Sequence, residues 1–378
     1  MEQYFIIGAD VVPTKINESL FCDGNQLGLV GEQISALLKA ASYRIFNLET
    51  PLTNQETPIK KYGPALRAKE ETVAGYKALG ADLLTLANNH IMDHGVTGFH
   101  NTRKVLEANG ISFVGAGENI REARQPFFFN FAEKKIGVFA CAEHEFSIAG
   151  EDKPGANPYE NYLTDQTIKK IKAECEYLIV LYHGGKELYR YPSPDLQKRC
   201  RAFTEHGADL VVCQHSHCIG CRENHHGGEI IYGQGNFIFH LDRDESWKTG
   251  LLIKINERFD ITYVPIVNDY ENVVAPSLEK EKEILAEFNS RSKQIEVDGF
   301  VRKTFNEYAR KIQKSYYVRM SGLDHNFFYL VCSKLNLSII TDFMIRRRIS
   351  EQTKLAAFDY MECETHREIL RVGISDGE

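Results

Sequence analysis

Apolar residues in the first 275 positions gather in short runs of strand length. Each run is followed by a polar loop and then by a stretch in which apolar side chains recur every three or four residues. The runs predict strands over Tyr4–Gly8, Tyr43–Leu48, Asp82–Ala87, Ile111–Val114, Ile136–Ala140, Tyr177–Tyr182, Asp209–Cys213, Glu229–Tyr232 and Leu251–Ile255. The stretches between them predict helices over Leu29–Ala41, Glu70–Leu79, Thr97–Asn109, Thr164–Glu174 and Asp195–His206. Several have Ser, Thr, Asp or Asn near their starts, where a short polar side chain accepts from the unpaired amides of a first turn. Strand and helix alternating in this way make an α/β sandwich or a doubly wound sheet.

Beyond Pro276 the pattern changes. The charged, helix-favouring run from Leu278 to Leu285 opens a stretch almost without Gly or Pro until Gly299, and helical periodicity continues to the end of the sequence. This predicts a main domain over residues 1–275 and a helical C-terminal region over 276–378. The apolar faces in Phe300–Tyr317, Phe327–Leu335 and Ile339–Ile349 need a partner surface, either the main domain or a second subunit.

Polar, reactive side chains stand directly after several predicted strands: Asp10, Asn47 and Glu49, Asn88 to His90, His183, then His215 and His217. Ligands of open α/β sheets bind at the carboxyl ends of the strands, so five separate segments converge on one edge. In an extended segment residues i and i+2 point the same way, which lets His215 and His217 approach one ion or two adjacent ions. Gly184 and Gly185 let the backbone bend just after His183. The carboxylates of Asp10 and Glu49, the amide of Asn89 and the imidazoles of His183, His215 and His217 are donors of the kinds two divalent ions need. Oxygen and imidazole donors suit Mn, Fe or Zn. Two ions about 3.5–4 Å apart share a carboxylate and a hydroxide, and the neighbouring His90 is placed to protonate a leaving oxygen.

Composition narrows the class. At 378 residues, 43% hydrophobic and 26% charged, the chain is long enough for one sizeable core with a smaller companion. A net charge of −7 argues against a nucleic-acid binder, and the longest basic run, Arg346-Arg347-Arg348, reads as a solvated helix face. No apolar run approaches the roughly 20 residues of a bilayer span, and the first residues lack a signal-peptide pattern. Nine scattered cysteines read as reduced thiols, so a cytoplasmic protein is expected. Cys218-x-x-Cys221 beside His215 and His217 is an alternative zinc site, but it lacks a second well-spaced pair.

Four longer blocks carry a resemblance: Asn47-Leu-Glu-Thr-Pro-Leu-Thr53, Ala87-Asn-Asn-His-Ile-Met-Asp93, Gly115-Ala-Gly117 and Ile231-Tyr-Gly-Gln-Gly-Asn-Phe-Ile-Phe239. In this order they resemble the CapA family of bacterial capsule and poly-γ-glutamate synthesis proteins, relatives of the calcineurin-like metallophosphoesterases, over approximately residues 4 to 268. The resemblance implies a metallophosphoesterase-like α/β sandwich, mixed sheets flanked by helices. It also implies a metal-dependent hydrolase of capsule, surface-polysaccharide or polyglutamate biosynthesis, in which a metal-bridged hydroxide attacks a phosphoester or related bond.

By position, the resemblance makes Asp10, Glu49 and His217 the ligands of one ion, with Glu49 as the bridge, and Asn89, His183 and His215 those of the other. His90 matches the general acid, Asp93 the residue that orients it or a nearby loop, and Glu187 a pocket residue. Lys61, beside Lys60 in the Pro58–Pro64 loop, is a candidate contact for an anionic substrate, the plainer alternative being a solvated lysine pair. The chain departs from the parent superfamily at Val12, where a histidine is usual, at Glu49, where Asp is usual, and at Gln214, where Gly is usual. The expected partners are an anionic cell-envelope or capsule precursor and the capsule-synthesis machinery, with a homodimer through the C-terminal helices. The alternative reading is a non-catalytic factor that binds polymer or assembles the synthase.

Overall fold

Alternate residues of the strand Tyr4–Val12 face two different cores. Phe5 and Ile7 pack with Ile45, Leu83, Val138, Ile179, Val212 and Ile253, whereas Ile6, Ala9 and Val11 pack with Val30, Ile34, Leu38 and Phe99. The change of parity after Ile7 is a β-bulge: pairing with the strand Tyr43–Leu48 shifts register between Ile7 and Asp10. A bulge adds one residue and re-aims every side chain beyond it. Asp10, flanked by Ala9 and Val11, thereby joins the face of Phe5 and Ile7.

These observations come from a computed structural model that describes residues 2–241 and 245–375. The chain divides into two compact units, Met1–Arg302 and Lys303–Glu378. Among the described residues of the first unit, an eight-stranded mixed sheet runs in the order Asn272–Val274, Ile261–Asp269, Thr249–Asn256, Tyr4–Val12, Tyr43–Leu48, Leu83–Thr85, Ser112–Val114. Asn236–Phe239 pairs parallel with the end of Tyr4–Val12. A six-stranded mixed sheet runs Arg222–His225, Gly228–Ile231, Leu210–Gln214, Tyr177–His183, Lys134–Ala142, Phe127–Phe131. The core containing Phe5 and Ile7 lies between the sheets. Helices Gln26–Ala40 and Gly95–Ala108 cover the outer face of the first sheet through Leu29, Ile34, Phe99 and Leu106; Asn161–Lys172 and Pro194–Glu205 cover the second through Ile168, Leu196, Cys200 and Phe203. The result is the expected α/β sandwich of mixed sheets flanked by helices.

Every strand expected from the sequence overlaps an observed one, and the five helices do likewise, with Glu70–Thr72 forming a 3-10 turn before Val73–Ala78. Among the strands not expected, Arg222–His225 is wholly polar and Phe127–Phe131 is an aromatic edge strand in a hairpin with Lys134–Ala142, while Asn236–Phe239 and Ile261–Asp269 are apolar runs not assigned as strands from the sequence. Helix Leu278–Ile295, beyond Pro276, lies in the first unit. Its Ile284 and Phe288 pack with Ile219 and Leu251, and Arg291 donates to the Gly220 carbonyl at 2.8 Å. The second unit holds helices Phe327–Lys334, Ser338–Arg348, Glu351–Glu362 and Glu364–Ser375, with a small core of Leu323, Tyr329 and Ile345. No helix among the described residues is long and apolar enough to cross a membrane.

Gly8 sits inside the bulge. A Cβ there would stand 2.5 Å from Cδ1 of Phe46 and 3.1 Å from Phe237, both fully buried. Gly8→Ala is therefore expected to destabilise the protein by about 1–3 kcal/mol through overpacking, read as a lower urea midpoint at unchanged slope.

Candidate metal centre

Strand register sets the site. Asp10 lies opposite both Asn47 and Asn236, and His183 lies opposite Gln214 and Ala142, so polar residues end the strands of both sheets at one level. Asn47 continues the parity of Ile45, and His183 that of Ile179 and Leu181; these are the alternations that line the core between the sheets. The site is thus the polar end of that core. Gln214 and Gln234 tie the sheets behind it, donating to the carbonyls of Gly8 and Ile7.

The segment after Gln214 is not the extended one that the i, i+2 spacing suggested. His215 and His217 have φ of 89° and 51°, a left-handed conformation that costs non-glycine residues on the order of 1–3 kcal/mol each. The turn is held by His215 N–H donating to Asp10 Oδ2 at 3.3 Å and by Leu188 N–H donating to the Ser216 carbonyl at 2.8 Å. It sets the two imidazole centroids 5.8 Å apart and packs His217 on Trp247 at 4.3 Å. His217 Nδ1 lies 2.8 Å from Asn236 Oδ1, which fixes the ring and leaves Nε2 toward Glu49.

Glu49 is the centre of the cluster. It is fully buried, yet neither carboxylate oxygen has a hydrogen-bond partner among the described residues. Oε1 lies 3.3 Å from His183 Nε2 and 3.9 Å from His217 Nε2, close enough for charge interaction but without hydrogen-bond geometry. Glu49, His215 and His217 each offer a donor atom within 4.8 Å of the others. His183 Nε2 is also 3.0 Å from Asn89 Oδ1 and 3.1 Å from His215 Nδ1. Asp10 completes the ring, accepting from Asn47 at 2.7 Å and lying 3.4 Å from His217 Nδ1. All six expected donors are therefore brought together.

The electrostatics draw positive charge to this point. Burial pushes the Asp10 carboxyl up, but the hydrogen bond from His217, the charges of His183 and His217 and the Asn47 amide outweigh it and hold Asp10 below its usual range. Burial, with His183 and His217 nearby, keeps His215 well below an ordinary imidazole, in the neutral form that ligates metals. Burial opposes protonation of His217 too, yet Glu49, Asp10 and Asn236 carry it up to about 9. A buried carboxylate without donors, ringed by imidazoles and an amide oxygen, fits a divalent cation.

A second arrangement flanks the first. His90 Nδ1 lies 2.6 Å from Asp93 Oδ2, which also accepts from the Leu66 amide at 2.6 Å, and Lys61 pairs with Asp93 Oδ1. Asp93 is fully buried and the Lys61 side chain only 5% exposed, its ammonium 3.3 Å from His90 Nδ1. Asn88 locks the turn that carries His90, donating to Asn47 and the Leu48 carbonyl and accepting from the His90 and Ile91 amides. Glu187 is half-buried in the loop after His183, with no hydrogen bond to the donor set among the described residues. Asn47 is one of the polar strand-end residues named from the sequence, though with no ligand role, whereas Asn236 and Trp247 are not singled out there as parts of the site. Two signals pointed that way, since Asn47 opens one family block and Asn236 lies within another. Cys213, Cys218 and Cys221 are buried and enter no group of three metal-donor residues among the described residues.

Fold and site together define a two-sheet α/β sandwich whose inter-sheet core ends in a buried cluster of carboxylate, amide and imidazole side chains. The chain belongs to the family described as bacterial capsule synthesis protein PGA_cap, which matches residues 24–241. It is 31% identical over 229 residues to the capsule biosynthesis protein CapA of Bacillus anthracis, covering 58% of this chain and 54% of that protein. It is 26% identical over 281 residues to the PGA biosynthesis protein CapA of Bacillus subtilis (strain 168), covering 69% and 71%. The match thus spans about half the length of the first relative. A solved structure described as a novel phosphatase from Mycoplasma pneumoniae aligns over 71% of this chain and 95% of its own, at 16% identity and a TM-score of 0.43.

Proposed function

We propose that the protein is a metal-dependent hydrolase of phosphoester type, acting on an anionic precursor of capsule or another surface polymer. The observation that carries this reading is Glu49, a fully buried carboxylate with no donor to either oxygen among the described residues, set among three imidazoles. Asp10, Glu49 and His217 would hold one divalent ion, and Asn89, His183 and His215 a second. Manganese, iron or zinc bound there would supply a water of lowered pKa and positive charge for developing oxyanions.

The chain's own part in the chemistry is proton delivery and orientation. His90 Nδ1–H donates to Asp93, which leaves Nε2 as the atom that hands a proton to the leaving oxygen as the phosphorus–oxygen bond breaks. Lys61 and the Leu66 amide hold Asp93 in one position, so the imidazole keeps one orientation. Lys61 in this reading orients the acid through Asp93. The substrate class rests on the family, whose description names capsule synthesis.

A second reading, a non-catalytic binding or assembly factor, is favoured by Val12. It packs in an apolar cluster with Phe239 and Trp247 at the position where the parent superfamily keeps a histidine. One experiment separates the two. Protein loaded with manganese, iron or zinc is expected to hold two ions per chain and to turn over at least one member of a panel of phosphomonoesters, phosphodiesters and γ-glutamyl compounds. No hydrolysis across the panel with metals restored would overturn the first reading; polymer binding that survives a chelator would establish the second.

A further inference from the structure

The helical unit Lys303–Glu378 leaves apolar side chains in solvent in a regular pattern. In helix Ser338–Arg348 the buried residues Thr341 and Ile345, with Ile349 just beyond, lie on one face, at spacing i, i+4, i+8. Rotation by 100° per residue puts Ile339 and Phe343 on the opposite face, and they are 86% and 64% exposed. Arg346 and Arg347, three and four residues after Phe343, continue the same stripe and are exposed. The neighbouring helix Phe327–Lys334 repeats the arrangement. Tyr329 and Cys332 are buried, while Phe327, Val331 and Leu335 form an exposed i, i+4, i+8 row that begins with Phe327 at 82% exposure and has Lys334 beside its end.

Charge says what such a face fits. Residues 327–350, which carry both rows, contain four Lys or Arg and one acidic residue, Asp342, a local positive surplus within a unit (residues 303–378) of twelve Lys or Arg and ten Asp or Glu and a chain whose net charge is −7. A second copy of this chain would present the same positive surplus, which opposes apposition of two such faces. Aromatic and branched aliphatic side chains with arginines at their edge instead match the boundary of an anionic bilayer, where the apolar groups enter the acyl region and guanidinium heads reach the phosphates. We propose that the exposed apolar rows of Phe327 and Val331 and of Ile339 and Phe343, with Lys334, Arg346 and Arg347, dock this unit on an anionic lipid surface. The proposal is independent of the metal-site reading. It places the protein at a membrane surface through this unit.

The test is flotation of the full-length protein with vesicles of phosphatidylcholine alone and of phosphatidylcholine with an equal share of phosphatidylglycerol. Binding is expected to the mixed vesicles only and to weaken with added salt. Arg346→Gln with Arg347→Gln should weaken it roughly 25- to 100-fold, at about a factor of five to ten per arginine. Ile339→Ser with Phe343→Ser should abolish it, and because both residues are exposed, circular dichroism and urea midpoint should stay at wild-type values. Four results would overturn the proposal: no binding to either vesicle, equal binding to both, full binding retained by the variants, or a wild-type dimer that the serine variant converts to monomer while vesicles are ignored. The last would assign the face to a second copy.

Discussion

Replacing His90 with Asn is expected to lower kcat by roughly 10²–10⁴-fold, with two ions per chain retained and the fold intact by circular dichroism, at a stability cost of about 1–3 kcal/mol for the lost hydrogen bond to Asp93. The side chain is half-buried at the edge of the centre and is none of the six donors, so its loss removes a proton donor and leaves the donor ring whole. The shape of the substrate series distinguishes this role from a structural one. Phosphoesters with acidic leaving groups need little protonation in the transition state, so the variant should lose far less on them than on alkyl esters. Asp93→Asn should follow the same selectivity with a smaller kcat loss at near-constant KM, because it disorients the imidazole without removing it. An equal loss on both ester classes, or a loss that tracks metal content, would remove His90 from the role of acid.

Much of the sandwich was legible because its strands are buried on both faces or alternate cleanly, and burial writes itself into runs such as Leu178–Tyr182 and Leu210–Cys213. The donor set was legible for a related reason: reactive residues directly after such runs stand at the edge where the sheets end. What could not be read is whatever depends on a change of register. Asp10 points into the centre only because the bulge after Ile7 reverses its parity, and simple alternation would place it with Ile6 against the outer helices. The left-handed turn at His215 and His217 is likewise a tertiary product, held by Asp10 and by the Ser216 carbonyl rather than by local propensity. Lys61 belongs to the same class. In sequence it is one of two adjacent lysines in a proline-bounded loop, and only the folded loop over Asp93 turns one of them inward.

Glu49→Gln is expected to change stability with opposite signs in chelator and in metal. In chelator, two buried carboxylates, Asp10 and Glu49, lie against the His217 imidazolium, and Glu49 has no hydrogen-bond donor among the described residues. The amide leaves the Asp10–His217 pair balanced and removes a buried charge without donors, so the variant should be more stable than wild type by about 1–3 kcal/mol. With manganese at a thousandfold excess over its dissociation constant, the wild type should gain about 4 kcal/mol per site by mass action, and the variant little, because a neutral amide would be a much weaker ligand for divalent cations than a carboxylate. The order of the two urea midpoints therefore inverts between the two buffers. A variant less stable than wild type in chelator would mean that Glu49 contributes to the fold by itself. A variant with the wild-type metal response would show that the ions, if bound, sit elsewhere, and the proposed centre would have to be abandoned.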